Sequence, residues 1–127
     1  MNIRIPIDVE DEIRLTLSDY ITTYCRPLPE DFTLPCILVA KSGGEDSDTI
    51  DRFRVSLDAR AKTEAEADRI LRTAIGILKA CAALHTTKIK HVNATSSGSW
   101  GVDPVRPDVR MCTAALEVVA HQTTMEV

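Results

Sequence analysis

Aromatic side chains are scarce in this chain: 4% of 127 residues, including a single Trp. The core must therefore be built from Ile, Leu, Val, Ala and Cys, and few platforms exist on which bases or sugars could stack. Basic charge is also in deficit, since 15 Lys and Arg against 19 Asp and Glu leave a net charge of −4. A grip on phosphates needs clustered cations, so sequence-specific nucleic-acid binding is not expected. Long apolar runs are missing. The longest, around Pro35 to Ala40, is too short to cross a bilayer, and the first residues lack the apolar region of a signal peptide, so no membrane partner is expected and a cytosolic origin is. No C-x-x-C pair occurs among Cys25, Cys36, Cys81 and Cys112, which removes the zinc-ribbon and redox motifs and leaves buried free thiols as the expectation.

What is present is an ordinary globular composition, 44% apolar and 27% charged, at the length of one domain. Asp8 can cap a helix whose apolar positions Val9, Ile13, Leu17, Tyr20, Ile21 and Tyr24 recur at helical spacing, with Glu10, Asp11 and Glu12 in the first turn. This predicts a first helix ending near Tyr24. Pro27, Pro29 and Pro35 make residues 26–35 a surface connection. A short strand is expected over Cys36 to Ala40, then a polar turn over Lys41 to Thr49. Phe53, Val55, Leu57 and Ala59 alternate with Arg52, Arg54, Ser56, Asp58 and Arg60, which predicts a strand with one apolar and one charged face, paired with the preceding strand as a hairpin.

Thr63 and Glu66 form a capping box ahead of a helix lined by Ala67, Ile70, Leu71, Ala74, Leu78 and Cys81, with Asp68 and Arg72 paired outside. Gly76 interrupts it, either as a tolerated exposed glycine or because another backbone approaches. A strand is expected at Lys88 to Thr95, then a long loop from Ser96 to Asp108. The final strand, Val109 to His121, is apolar on both registers and is expected to be buried on both faces. The order α-β-β-α-β-β predicts an α+β domain, with an antiparallel sheet of about four strands and two helices packed on one face.

No constellation of residues announces chemistry. Asp46, Asp48 and Asp51 suggest a calcium loop, but Asp51 stands where the loop needs Gly and Leu57 where it needs the bidentate Glu. His85, His91 and His121 are scattered. Cys112 and His121 lie about 30 Å apart if they share one strand, too far for a nucleophile and base. Ser96, Ser97, Gly98 and Ser99 lack the P-loop Lys. No catalytic residue, metal ligand or cofactor is assigned. The residues that invite a partner are Trp100, a common interface anchor, with Ser99, Val102 and Asp103 in its loop, and Gly44, Glu45, Asp46 and Asp48 in the acidic turn. An oligomeric or partner-covered surface is the resulting expectation, with a small-molecule-binding or regulatory α+β module as the alternative.

The string DRFRVSLDARAKTEAEADRILRTAIGILKA, residues 51–80, resembles the strand, cap and helix of tail terminator (tail completion) proteins of long-tailed phages and prophages. The leading helix, the Pro-rich connection into PCILVAKSGG, the late DPVRPD and the closing strand VRMCTAALEVVA are similar to that family in layout, so the resemblance covers nearly the whole chain. It implies a non-enzymatic virion structural protein of the tail or neck, assembled in the host cytoplasm. Such a subunit forms a hexameric ring between the tail tube protein and the head-completion or connector protein, around a channel that passes DNA. An acidic chain suits a conduit that must not hold what moves through it.

Overall fold

The computed structural model describes residues 1–127 except Asp46 and Asp48, and for Ser97 the backbone alone. Among the described residues, seven strands and two helices follow in the order β1 (Asn2–Ile5), α1 (Val9–Leu17), β2 (Thr23–Cys25), β3 (Cys36–Glu45), β4 (Ile50–Ala61), α2 (Glu64–Ala83), β5 (Ile89–Val102), β6 (Arg110–His121) and β7 (Thr123–Glu126). The chain is α+β, as expected, but the sheet is larger and mixed. Its five strands run β2-β3-β4-β6-β5, with β2 parallel to β3 and the other pairings antiparallel; β1 and β7 form a separate antiparallel ribbon.

Both helices lie on one face of this sheet. Val9, Ile13 and Leu17 of α1 and Ala67, Ile70, Leu71, Ala74 and Leu78 of α2 share one apolar cluster with Phe53, Val55, Leu57, Ala59, Cys112, Ala114, Leu116 and Val118. The helix starts follow the sequence signals. The Asp8 carboxylate accepts the Asp11 N–H at 3.2 Å and the Thr63 hydroxyl accepts the Glu66 N–H at 3.2 Å, each satisfying an orphan donor. Helix α2 is capped by Leu84 and followed by His85, which takes φ 57°, while Thr86 N–H returns to Cys81 O at 3.1 Å and His85 N–H to Ala82 O at 3.2 Å, the Schellman arrangement with His where Gly is usual.

Gly76 is exposed, and a Cβ built there meets nothing within 4 Å, so the glycine serves no close approach. Gly76→Ala is therefore expected to raise the unfolding free energy by about 1 kcal/mol, read as a rightward shift of the urea midpoint without a change in slope.

Four sequence expectations need correction. Helix α1 stops at Leu17 rather than near Tyr24, since Tyr20 and Ile21 N–H both turn back to Leu17 O at 2.9 Å, and Thr23–Cys25 then pair with Ile37–Val39 as an edge strand. Backbone pairing with β3 wins over the helical spacing of Ile21 and Tyr24. Strand β3 continues through Lys41–Glu45, because β4 is long enough to pair with it beyond a bulge between Lys41 and Gly43. Strand β5 likewise runs on through the expected loop to Val102, with irregularities at Ile89/His91, Ala94/Ser96 and Ser96/Ser99; Gly98 at φ 81° supplies the left-handed residue that the last one uses. Finally, β6 buries only one face: Cys112, Ala114, Leu116, Val118 and Ala120 are at most 1% exposed, whereas Met111, Thr113, Ala115, Glu117 and Val119 are half-buried.

Candidate interaction site

The register divides the predicted interface residues between two ends of the sheet. Trp100 lies in one row with Cys112, Ala59 and Ile37, while Glu45 lies in another with Arg52, Val119 and His91. The two groups therefore sit at opposite ends of the strands and on opposite edges. Ser99, Trp100 and Val102 stay together on β5, with Trp100 49% and Val102 46% exposed; Gly44 and Glu45 are exposed near the end of β3. Asp46 and Asp48 lie outside the described residues. Asp51 is buried, its Oδ1 accepting from Gln122 Nε2 at 3.2 Å and from Ser47 N at 3.4 Å.

Asp103, expected in an exposed interface loop, lies inside the fold. It is buried, and its carboxylate accepts the Val105 N–H at 2.8 Å, the Arg106 N–H at 2.9 Å and Arg60 Nε at 3.1 Å. Burial raises its pKa, but those hydrogen bonds and the Arg60 charge outweigh it, so the carboxyl is held below its ordinary value. Arg60 was expected on the outward, charged face, and it does lie there; that end of the face is roofed over. Residues 26–35 and 103–109 fold across it as a second small core of Phe32, Cys36 and Val109 with Tyr24, Leu28 and Leu34. Arg60 and Arg106 sit against the Phe32 ring at 5.9 and 4.5 Å from its centroid, as cation–π partners. Sequence inspection missed this centre. The alternation placed Arg60 correctly, and only the clustering of Pro27, Pro29, Pro104 and Pro107 in two connections hinted at a lid.

A second missed feature is Glu10, on the first turn of α1. Its Oε2 accepts Arg26 Nη2 at 2.7 Å and the Lys41 N–H at 3.1 Å, while Arg26 also donates to Lys41 O at 3.1 Å. Burial raises the Glu10 pKa, and the Arg26 and Lys41 hydrogen bonds overcome it, leaving the carboxyl below its usual value. This pair plugs the edge of β3 just beyond the three residues that β2 covers.

Beyond the roofed end, the face of the sheet opposite the helices carries half-buried Leu38, Ala40, Ala115 and Val119, bordered by the Arg52–Glu117 pair at 3.0 Å. No group of three or more His, Cys, Asp or Glu among the described residues is arranged to hold a metal ion, and among them no helix is long and apolar enough to cross a membrane. The thiols are separate from one another, with Cys36 and Cys112 buried. Burial pushes the Cys36 thiol up to about 11, against a smaller opposite pull from Arg60 and Arg106, and burial also raises Cys112. Iodoacetamide at pH 8 should accordingly alkylate these two at least about 100-fold more slowly in the native protein than after denaturation, as peptide mass spectrometry would show.

No protein-family model matches the chain, and a search of the curated proteins finds no match.

Proposed function

We propose that this chain is a ring-forming structural subunit that ends polymerisation of a phage or prophage tail tube and joins the tail to the head, acting by assembly rather than by chemistry. The observation that carries this reading is the uncovered sheet. One face keeps Leu38, Ala40, Ala115 and Val119 only half-buried, and one long edge, β5, has no strand beyond it among the described residues while presenting Trp100 and Val102. Surfaces of that kind suit association with further copies and with tube and connector proteins. The resemblance of residues 51–80 to tail terminators gives the association its biological setting, in the neck of the virion after assembly in the host cytoplasm. The acidic balance is in keeping with a channel through which DNA slides without being held.

Light scattering on the purified protein over a wide concentration and salt range tests the ring. A mass near six subunits is expected, together with shortened tubes when the protein is added to polymerising tail tube protein. A monomer at every concentration that leaves tube length unchanged would overturn the reading.

A further inference from the structure

The strands of the sheet lie in register rows that run from one edge to the other. Glu45 is in line with Arg52, Val119 and His91, Gly44 with Phe53, Val118 and Val92, and Gly43 with Arg54, Glu117 and Asn93. Three successive antiparallel pairings separate β3 from β5, so these two strands run antiparallel to each other.

Only a short stretch of β3 has an open edge. Strand β2 covers Ile37–Val39, and Glu10 and Arg26 occupy the N–H and C=O of Lys41, which leaves residues 42–45. On β5, the register breaks at Ile89/His91 and Ala94/Ser96 bound a regular stretch, residues 91–94. Such breaks blunt a sheet edge against indiscriminate pairing, so the regular window is the part fit to receive a strand. Within these open stretches, Gly43–Glu45 and His91–Asn93 therefore occupy the same three rows at opposite edges of one sheet.

Charge agrees with this geometry. Glu45 is exposed and has no ion-pair partner among the described residues. Exposed Lys88 and Lys90 flank the start of β5, where with His85 and His121 they line an open depression of about 450 Å³. In an antiparallel pairing, Glu45 is the residue of its stretch nearest the start of β5 in the second copy, where that depression lies. Gly43 and Gly44 carry no side chain to hold a second backbone away.

We infer that residues 43–45 of one copy pair antiparallel with residues 91–93 of a second copy, with Glu45 set against Lys88 and Lys90, and that this edge-to-edge contact is the repeating joint of the ring. Because the paired stretches share the same rows, the joint needs no shift along the strands. A head-to-tail contact of this kind makes a ring where the rotation between successive copies closes. The inference rests on the ring reading and names its interface.

Charge exchange tests it. Glu45→Lys and the double variant Lys88→Glu/Lys90→Glu are prepared separately, their folding checked by thermal melts, and their masses followed by light scattering. Each variant alone places like charges at every joint, and its half-assembly concentration should rise at least about ten-fold. Mixed in equal amounts, the two should recover wild-type assembly, since alternating copies restore opposite charges at every joint. Folded variants that each assemble like wild type, or a mixture that does no better than its components, would overturn this joint while leaving the ring in place. A wild-type protein that is monomeric throughout would remove the ring and the joint together.

Discussion

Asp103→Ala is expected to lower the unfolding free energy by about 3–5 kcal/mol at neutral pH, the largest loss anticipated for any single truncation in this chain. The Arg60 side chain is 8% exposed and that of Asp103 5%, so removing the carboxylate strands a guanidinium that cannot reach water. Asp58 is a poor substitute, its Oδ2 standing 3.8 Å from Arg60 Nη1, which has no hydrogen-bond partner among the described residues. The same truncation frees the Val105 and Arg106 N–H groups and unpins the connection that roofs Phe32, Cys36 and Val109.

The pH dependence carries a definite sign. The folded-state pKa of Asp103 is lowered, so its contribution is fully present above the unfolded value, near 3.9, and is lost as pH falls through the lower folded value. Urea melts should show the gap between wild type and variant at full size from pH 7 down to about pH 5, narrowing below about pH 4. A gap that stays constant through that window would mean that the carboxylate charge is not what Arg60 needs. Accessible Cys36 in the variant, tested by alkylation, would report the opened roof directly.

Leu57→Ala is expected to cost about 3 kcal/mol, within the 2–5 kcal/mol range for buried leucines. Leu57 is 0% exposed in the middle of β4, with Val39 and Ala114 as its cross-strand partners. Val39 and Ala114 belong to strands fixed by long backbone ladders, so the space cannot readily collapse. Chemical denaturation should give a lower midpoint with an unchanged slope. A loss under 1 kcal/mol would mean that α2 settles into the gap, and Leu57→Met, which nearly conserves volume, should stay within about 1.5 kcal/mol of wild type.

The helix starts and the central strand were legible because their causes are local. A capping side-chain oxygen three residues before the N–H that donates to it, and an apolar residue at every second position from Phe53 to Ala59, specify geometry within a few residues. The interface candidates were legible only in part. Trp100 is exposed as expected, yet it stands in a strand, because a run of Ser and Gly with little preference of its own adopts whatever pairing a long neighbour offers, and β6 offers one. Asp103 looked like a loop-surface residue, and nothing in its sequence neighbourhood names Arg60, 43 positions away, as its partner.

By itself the sequence determined the class of the domain, the ends of the helices where capping residues stand, and which face of β4 enters the core, since periodicity and caps act over one or two turns. The tertiary structure alone decided that β2 edges the sheet in parallel, that two proline-bearing connections roof Arg60, and that Glu45 and His91 share a row on opposite edges. Those features depend on backbone pairing and on charges brought together across long separations, where the deciding free energy belongs to the assembled sheet and not to any segment of the chain.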